Sequence, residues 1–294
     1  MSNKKKVLIL LATYNGQKYI EKQLNTILAQ TDVDIEILIS DDNSTDNTLS
    51  LLNNYAKRDN INILFNKKKA GASSNFFNLI ENSNLEPFDY VAFSDQDDIW
   101  YKDKLSAAIK QLENSNCDGF SSDVIAYWSK SNKKKLLKKS YFQKKYDHWF
   151  ESPGPGCSQV FSKRSFDLFR RFIIKNSNKL SSIDYHDWLV YAFYKHNDLK
   201  WIISPYPKML YRQHNSNVIG SNIGLYSKLL RLIKIKNNWY TNQVIAIYEL
   251  VANREFNEFI KFEKLKSKPF SLRRDRLYSL VVWVLIIIGF LKRK

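Results

Sequence analysis

Three aspartates crowd into four positions, Asp95, Asp97 and Asp98, inside the stretch FSDQDDIW at residues 93–100. Packed carboxylates repel one another unless a cation compensates them, so the cluster points to a divalent ion held by hard oxygen ligands. Two more polar stretches come earlier: Thr13-Tyr14-Asn15, and Ser40-Asp41-Asp42-Asn43-Ser44. Further on, Asp184-Tyr185-His186-Asp187-Trp188 offers a carboxylate suited to taking a proton, and Arg212-Gln213-His214 sets a phosphate-binding guanidinium beside an imidazole. Each has a plainer competitor. Asp, Asn and Ser also cap helices and make turns, which suffices for Asp46 and is an equal alternative for Asp98. Asp187 could be a first-turn residue facing a helix dipole, and His214 a satisfied structural histidine.

The elements that must hold these residues are legible in the first 120 positions. Strands are expected at Val7–Ala12, Ile35–Ile39, Ile61–Phe65 and Tyr90–Phe93, with helices at Gln17–Ala29, Asp46–Lys57, Ser73–Glu81 and Asp103–Leu112 between and after them. Strand and helix in alternation argue for a parallel sheet covered by helices, an α/β fold. Ligands of such sheets bind outside the carboxyl ends of the strands, where the three polar stretches fall. Beyond residue 120 the pattern is less regular. Lys130–Lys145, with eight lysines, reads as an exposed loop. A strand is expected near Ser158–Phe161, helices at Arg164–Ile174 and from Asp184 through Tyr194, and short strands at Trp201–Ile203 and Met209–Tyr211.

Composition narrows the class. The 294 residues are 44% hydrophobic and 26% charged, which is globular. Two cysteines exclude a disulfide framework and a four-cysteine zinc site. Neither GxGxxG nor GxxxxGK occurs, so the usual marks of a dinucleotide fold and a P-loop are missing. The net charge of +17 is uneven: −4 over residues 1–120, +11 over 121–227 and +10 over 228–294. A basic remainder suits an anionic surface, either nucleic acid or lipid. The basic residues lie mostly in the lysine stretch and an apolar tail, without aromatics set out for base stacking, so nucleic acid is not the expected partner. Val7–Ala12 is too short for a secretory core and stops at Thr13-Tyr14-Asn15-Gly16, which favours a cytosolic protein.

Taken together, LLATYNG, ISDDNSTDNT, FSDQDDIW with its DxD, HDW and YRQH resemble the family 2 glycosyltransferases, inverting enzymes of the GT-A fold, over roughly residues 5–215. The forms SDQDDIW, GCSQVF, HDW and YRQHNSNVIG are most similar to the bacterial rhamnosyltransferase-like branch. The resemblance implies a metal-dependent hexosyl transfer from a nucleoside diphosphate sugar, with L-rhamnose from dTDP-rhamnose as the best guess and a galactosyl or glucosyl unit from a UDP-sugar as the alternative. It implies a lipid-linked acceptor in surface polysaccharide synthesis. Asp97 would then be a ligand of Mg²⁺ or Mn²⁺, with His214 near the metal or diphosphate and Asp95 against the ribose or the metal's waters. Asp42 would accept the N3–H of a uracil or thymine, while Thr13, Tyr14 and Asn15 form the floor for the base. Arg212 would meet phosphate, Asp187 would be the general base, and His186 and Trp188 would shape the acceptor pocket.

The resemblance divides the chain into a GT-A domain at 1–220 and a basic helical extension at 221–294. The extension ends in the 15-residue apolar run Leu277–Leu291, flanked by Arg273, Arg274 and Arg276 and by Lys292-Arg293-Lys294. A bilayer core usually takes about 20 residues, so the run is too short to span one. Shallow insertion into the cytoplasmic leaflet is expected, with a core or dimer-interface helix as the alternative. Because every candidate catalytic residue precedes 215, residues 271–294 are expected to be dispensable for transfer.

Overall fold

The structure, a computed structural model, describes residues 4–68, 70–214 and 238–291. Strand β1 (Lys5–Thr13) is covered on both sides: Val7, Ile9 and Leu11 enter one apolar cluster, and Leu8, Leu10 and Ala12 the other. Double coverage is why its sequence is an unbroken apolar run with no alternation. Strands β2 (Val33–Asp41), β3 (Ile61–Phe65) and β4 (Tyr90–Ser94) extend the sheet in parallel, with β1 between β2 and β4. On the far side β6 (Gly119–Ser122) and β10 (Trp201–Ser204) pair in parallel, and β9 (Val160–Ser162) runs antiparallel between β4 and β6. The order of the seven strands is β10-β6-β9-β4-β1-β2-β3.

Helices α1 (Ile20–Leu28), α2 (Thr48–Tyr55) and α4 (Lys104–Asn114) cover one face. The other face carries α3 (Ala72–Asn82), α6 (Lys163–Lys175) and α7 (His186–His196). The expected strands and helices of the first 120 residues are therefore present, with ends shifted by a few positions. The lysine stretch is a correction. Lys133–Leu137 is a strand, β8, paired antiparallel with β7 (Val124–Trp128), and its lysines stay exposed along an edge. Charged side chains on an edge strand discourage pairing with other chains, so a lysine run and a strand are compatible. With β5 (Ile99–Trp100) and β11 (Met209–Arg212) these form a second sheet, ordered β5-β11-β7-β8.

The C-terminal part is the second correction. The short helix α5 (Asp147–Phe150) packs with α8 (Trp239–Ala252), α9 (Phe256–Phe262) and α10 (Arg276–Ile287). Val244, Ile247, Phe256, Leu272, Val282, Ile286 and Leu291 belong to the same apolar cluster as Phe93, Phe161 and Leu189. Arg273 and Arg274, expected at a membrane surface, instead turn inward onto Glu151 and Asp147. Removing residues 271–294 would therefore open the core and leave buried carboxylates without partners. The outer face of α10 remains apolar: Leu277 and Ile288 are 68% and 65% exposed, with Val281 and Val284 between them on the same side. Among the described residues no helix is long and apolar enough to cross a membrane. The expected boundary at residue 220 and the terminal Lys292-Arg293-Lys294 lie outside the described residues.

Candidate active site

The loops after β1, β2 and β4 meet at one end of the sheet and are tied together by polar side chains. Gln96, which was not singled out in the sequence, is the clamp. Its Oε1 accepts from the Thr13 hydroxyl at 2.6 Å and from the Tyr14 backbone N–H at 2.9 Å, while its Nε2 donates to the Tyr14 carbonyl. Gly16 sits against that amide: a Cβ there would come within 2.2 Å of Gln96 Oε1. Asn15 adopts a left-handed φ of 47°, and its Oδ1 accepts from the Thr45 N–H. Two of the three residues expected as a floor for a base are used by the loops themselves. The Thr13 hydroxyl and the Asn15 carbonyl are turned into the loop scaffold, and Tyr14, 53% exposed, presents the open ring.

Asp42 is buried at the C-terminal end of β2, where one carboxylate oxygen accepts from Asn66 Nδ2 at 2.8 Å and the other from the Gly71 N–H at 2.7 Å. These bonds fix the carboxylate's plane, and each oxygen keeps a second lone pair for a ligand. Its neighbour Asp41 has a turn-building role, accepting from the Ser44 N–H and hydroxyl.

The DxD loop is held from the second sheet. Arg212, the last residue of β11, donates its Nε to the Asp97 carbonyl at 2.7 Å and its backbone N–H to Asp98 Oδ1 at 3.1 Å. Asp98 therefore pins β11 to the loop and does not cap α4, whose N-cap position is Asp103. His214 Nε2 lies 2.6 Å from Asp97 Oδ2, and its ring stacks on Tyr19 at 4.7 Å between centroids. The Arg212 guanidinium also sits over the Tyr19 ring, at 4.9 Å. Tyr19 is a further residue the sequence reading missed, since it falls inside the expected helix Gln17–Ala29 and in none of the polar stretches after the strands.

Asp95 is half-buried, and burial together with the charge of Asp97 pushes its pKa up to about 7. Asp97 and His214 set a carboxylate and an imidazole 2.6 Å apart, a donor pair for a divalent cation, with Asp95 two residues earlier in the same loop. The tightest ligand cluster is a different one, Asp95, Asp98 and Cys157. It is poor in cation chemistry. Cys157 is fully buried and burial holds its thiol protonated, while Asp98 already serves the Arg212 N–H.

Across from this loop, Asp187 opens α7. It is 7% exposed, and burial raises its pKa to about 6, against the hydrogen bonds of the helix start and of the Ser152 side chain and against the charge of Lys139. Asp123 places Lys139 by accepting from the backbone N–H groups of Lys139 and Ser140. The charge of Asp187 is also felt at Asp95, where it adds to the upward push. A carboxylate poised near 6 is ionised at neutral pH yet basic enough to take a proton.

The neighbours of Asp187 are corrected. The His186 ring stacks on Phe76 at 3.8 Å and meets Phe93 edge-on at 5.4 Å, and burial lowers its pKa to about 3. Trp188 is buried, donates Nε1 to the His148 carbonyl and stacks on Tyr240. Both rings belong to the core and offer no face to an acceptor sugar. HDW thus works as an anchor: the two flanking rings are packed into the core and fix the start of α7, which carries Asp187.

Known glycosyltransferases resemble this chain in sequence and in fold. The profile of Glycosyl transferase family 2 matches residues 8–173. The dTDP-rhamnosyl transferase RfbG of Shigella flexneri is 42% identical over 293 residues, covering 94% of this chain and 100% of RfbG. WfgD of Escherichia coli, a UDP-Glc:alpha-D-GlcNAc-diphosphoundecaprenol beta-1,3-glucosyltransferase, is 25% identical over 83% of this chain and 90% of its own. Among solved structures, S. aureus TarS in complex with UDP-GlcNAc superposes with a TM-score of 0.54 at 14% identity, over 98% of this chain and 84% of that one. The Pyrobaculum calidifontis mannosyltransferase PcManGT, in complex with GDP-Man and Mn²⁺, does so with the same TM-score and 14% identity, over 98% and 88%. The fold is GT-A, as the sequence motifs implied, and the chain belongs to glycosyl transferase family 2.

Proposed function

We propose that this chain transfers an L-rhamnosyl unit from dTDP-rhamnose, with inversion and with a divalent cation, to a lipid-linked saccharide in bacterial surface polysaccharide synthesis. The observation that carries the sugar is the 42% identity to a dTDP-rhamnosyl transferase over nearly the whole chain. The acceptor class follows from the diphosphoundecaprenol substrate in the name of WfgD. That relative also supports the second reading, a hexosyl unit from a UDP-sugar.

Asp97 and His214, with Asp95 beside them, would hold the cation, which when bound supplies a positive charge against the leaving diphosphate. Asp42 accepts the pyrimidine N3–H, which thymine and uracil have and cytosine lacks, and the Tyr14 ring lies beside the base. Arg212 holds the DxD backbone through its Nε, so that the Asp97 carboxylate and the guanidinium move as one unit. Asp187 takes the acceptor hydroxyl's proton at a carboxylate oxygen from the face opposite the diphosphate, and the new bond forms with inversion. The exposed apolar face of α10 lies on the cytoplasmic leaflet, where the lipid-linked acceptor is. That location is peripheral and cytoplasmic.

A donor panel tests the sugar. Nucleotide release with a lipid-linked acceptor should be fastest with dTDP-rhamnose, and faster release from UDP-glucose or UDP-galactose would replace the first reading by the second.

A further inference from the structure

The wall beside Asp187 is a short piece of chain, residues 151–154, between α5 and the turn Gly156–Ser158. It lies close to the start of α7: a Cβ on Gly156 would come within 2.6 Å of His186 Nε2 and 3.4 Å of Asp187 Cβ. The Ser152 hydroxyl donates to the Gly154 carbonyl at 3.3 Å, and it stands near enough to the Asp187 carboxylate to oppose the upward shift of its pKa. The Glu151 backbone N–H closes α5 on the Asp147 carbonyl at 2.9 Å, but no helix or strand holds the Glu151 side chain or the Ser152 carbonyl. They are fixed from the C-terminal segment, more than a hundred residues away.

Arg274 makes that connection. Its backbone N–H donates to Glu151 Oε1 at 2.6 Å, its Nη2 donates to the Ser152 carbonyl at 2.5 Å, and its Nη1 lies 3.4 Å from Asp147 Oδ2. Arg273 adds a bond from Nη2 to Glu151 Oε2 at 3.2 Å. Two arginines and two carboxylates balance, and the Arg274 and Asp147 side chains are 1% and 0% exposed. Asp147 in turn accepts from the Tyr191 hydroxyl at 3.2 Å. Tyr191 is four residues after Asp187, on the same face of α7. One guanidinium thus holds the wall beside Asp187 through the Ser152 carbonyl, and through Asp147 and the Tyr191 hydroxyl it holds α7 itself one turn later. A core that needed only to be filled would do as well with apolar residues of this volume, whereas a forked, charged, fully paired group fixes direction.

We propose that Arg274 is a positioning residue for the transfer step: acting through Ser152 and Asp147, it sets the Asp187 carboxylate against the acceptor hydroxyl. The proposal rests on the reading of Asp187 as the general base. It makes the segment leading into α10 part of the catalytic machinery, so the helix that faces the leaflet and the base that meets the acceptor share one rigid connection.

The test uses the full chain, with turnover at saturating donor and acceptor and dTDP affinity in Mn²⁺ by calorimetry. Variants are Ser152→Ala, Arg274→Lys, the double variant, and Asp187→Asn beside them. Arg274→Lys keeps the charge but loses the fork, and Ser152→Ala removes one exposed-edge hydroxyl without touching the ion pairs. Each single change should lower kcat about tenfold, the scale of a small misplacement of a reacting group. The dTDP affinity should stay within about twofold, since the nucleotide sits on the other side of the cleft. The double variant should be no slower than the slower single one, because both changes break the same connection. Unchanged kcat in either folded single variant, multiplying losses in the double, or a kcat loss that follows dTDP affinity would overturn the proposal. Should Arg274→Lys fail to fold, Ser152→Ala alone decides it by the same kcat and affinity criteria. Normal turnover in Asp187→Asn would instead remove the base reading itself, an outcome separate from the other three variants.

Discussion

The proposed donor half of the site and the proposed acceptor half are built on different plans. Donor groups sit in loops that directly follow β1, β2 and β4, so each is found by looking just past an apolar run, and the loops brace one another through Gln96, Asn15 and Asp42. The acceptor half has no such plan. Asp187 is presented by a helix whose flanking rings are buried, and its wall is fixed by Arg274 from the far end of the chain. A strand-end loop needs only local polar residues, whereas the second half depends on tertiary contacts between segments widely separated in sequence. The donor half should therefore lose function through single polar changes, and the acceptor half through changes that shift a buried network.

The largest effect expected is on the donor side. Asp97→Ala removes a carboxylate ligand and the partner of His214, and should abolish Mn²⁺-dependent dTDP binding and cut turnover by about 100-fold or more. Calorimetric titration of dTDP with and without Mn²⁺ measures this, and an unchanged affinity would remove Asp97 as a ligand. Asp98→Ala should be milder, since it loses one bond to the Arg212 backbone.

Next comes the acceptor side, where the opposite pattern is expected. Asp187→Asn should lower kcat by about 10²- to 10⁴-fold while leaving dTDP affinity intact, because the base acts on the acceptor proton. In the wild type, with the Asp187 pKa raised to about 6, the working form is the ionised one. Turnover should therefore fall as pH drops through about 6 and level off above it, and a flat profile from pH 5 to 8 would count against Asp187. If Asp187→Asn also weakened dTDP binding, the two halves would not be separable in the way described.

A smaller effect sharpens the account of the donor half. Gln96→Ala breaks three bonds to Thr13 and Tyr14 without touching a proposed ligand. The β1 loop would then have to be ordered on binding, and dTDP affinity should weaken by about tenfold, at about 1 kcal/mol per lost hydrogen bond with partial replacement by water. Unchanged affinity would mean that the loop is held well enough by Asn15 and Asp42.

This difference also explains what the sequence disclosed. The parallel sheet was visible because β1 to β4 are apolar runs of ordinary length, and the donor loops because aspartates cluster after them. β8 was hidden because its exposed edge is lysine, which gives no alternation to read. His186 and Trp188 were misjudged because polar and amphipathic rings next to a candidate base look like pocket residues. Nothing in HDW reveals that Phe76 and Tyr240 lie across them. The pairing of Arg274 with Asp147 and Ser152 had no local signal at all, since three arginines before an apolar run look the same on a membrane surface and in a core.

The smallest expected effect on chemistry concerns α10, the helix proposed to lie on the leaflet. Its inner residues Ser279, Val282 and Ile286 are buried, while Leu277, Val281, Val284 and Ile288 form an outer stripe. Replacing Leu277, Val281 and Ile288 together by serine removes apolar area from the exposed side only, so the melting temperature should hold. Transfer to a water-soluble acceptor mimic should stay within about twofold, because surface changes away from buried features rarely alter stability by more than about 0.5 kcal/mol. Sedimentation with anionic vesicles should fall sharply, most visibly at high salt. There the attraction of basic residues, on the order of 1 kcal/mol each near the surface, is screened and the apolar contribution is what remains. Arg273 and Arg274 are not available for that attraction, since both are paired with carboxylates inside the protein. Salt sensitivity should therefore be weaker than a count of the arginines before the helix suggests. Vesicle binding that survives the triple serine variant, or a soluble dimer that the variant dissociates, would assign the stripe to a protein interface and leave the transfer chemistry where it is.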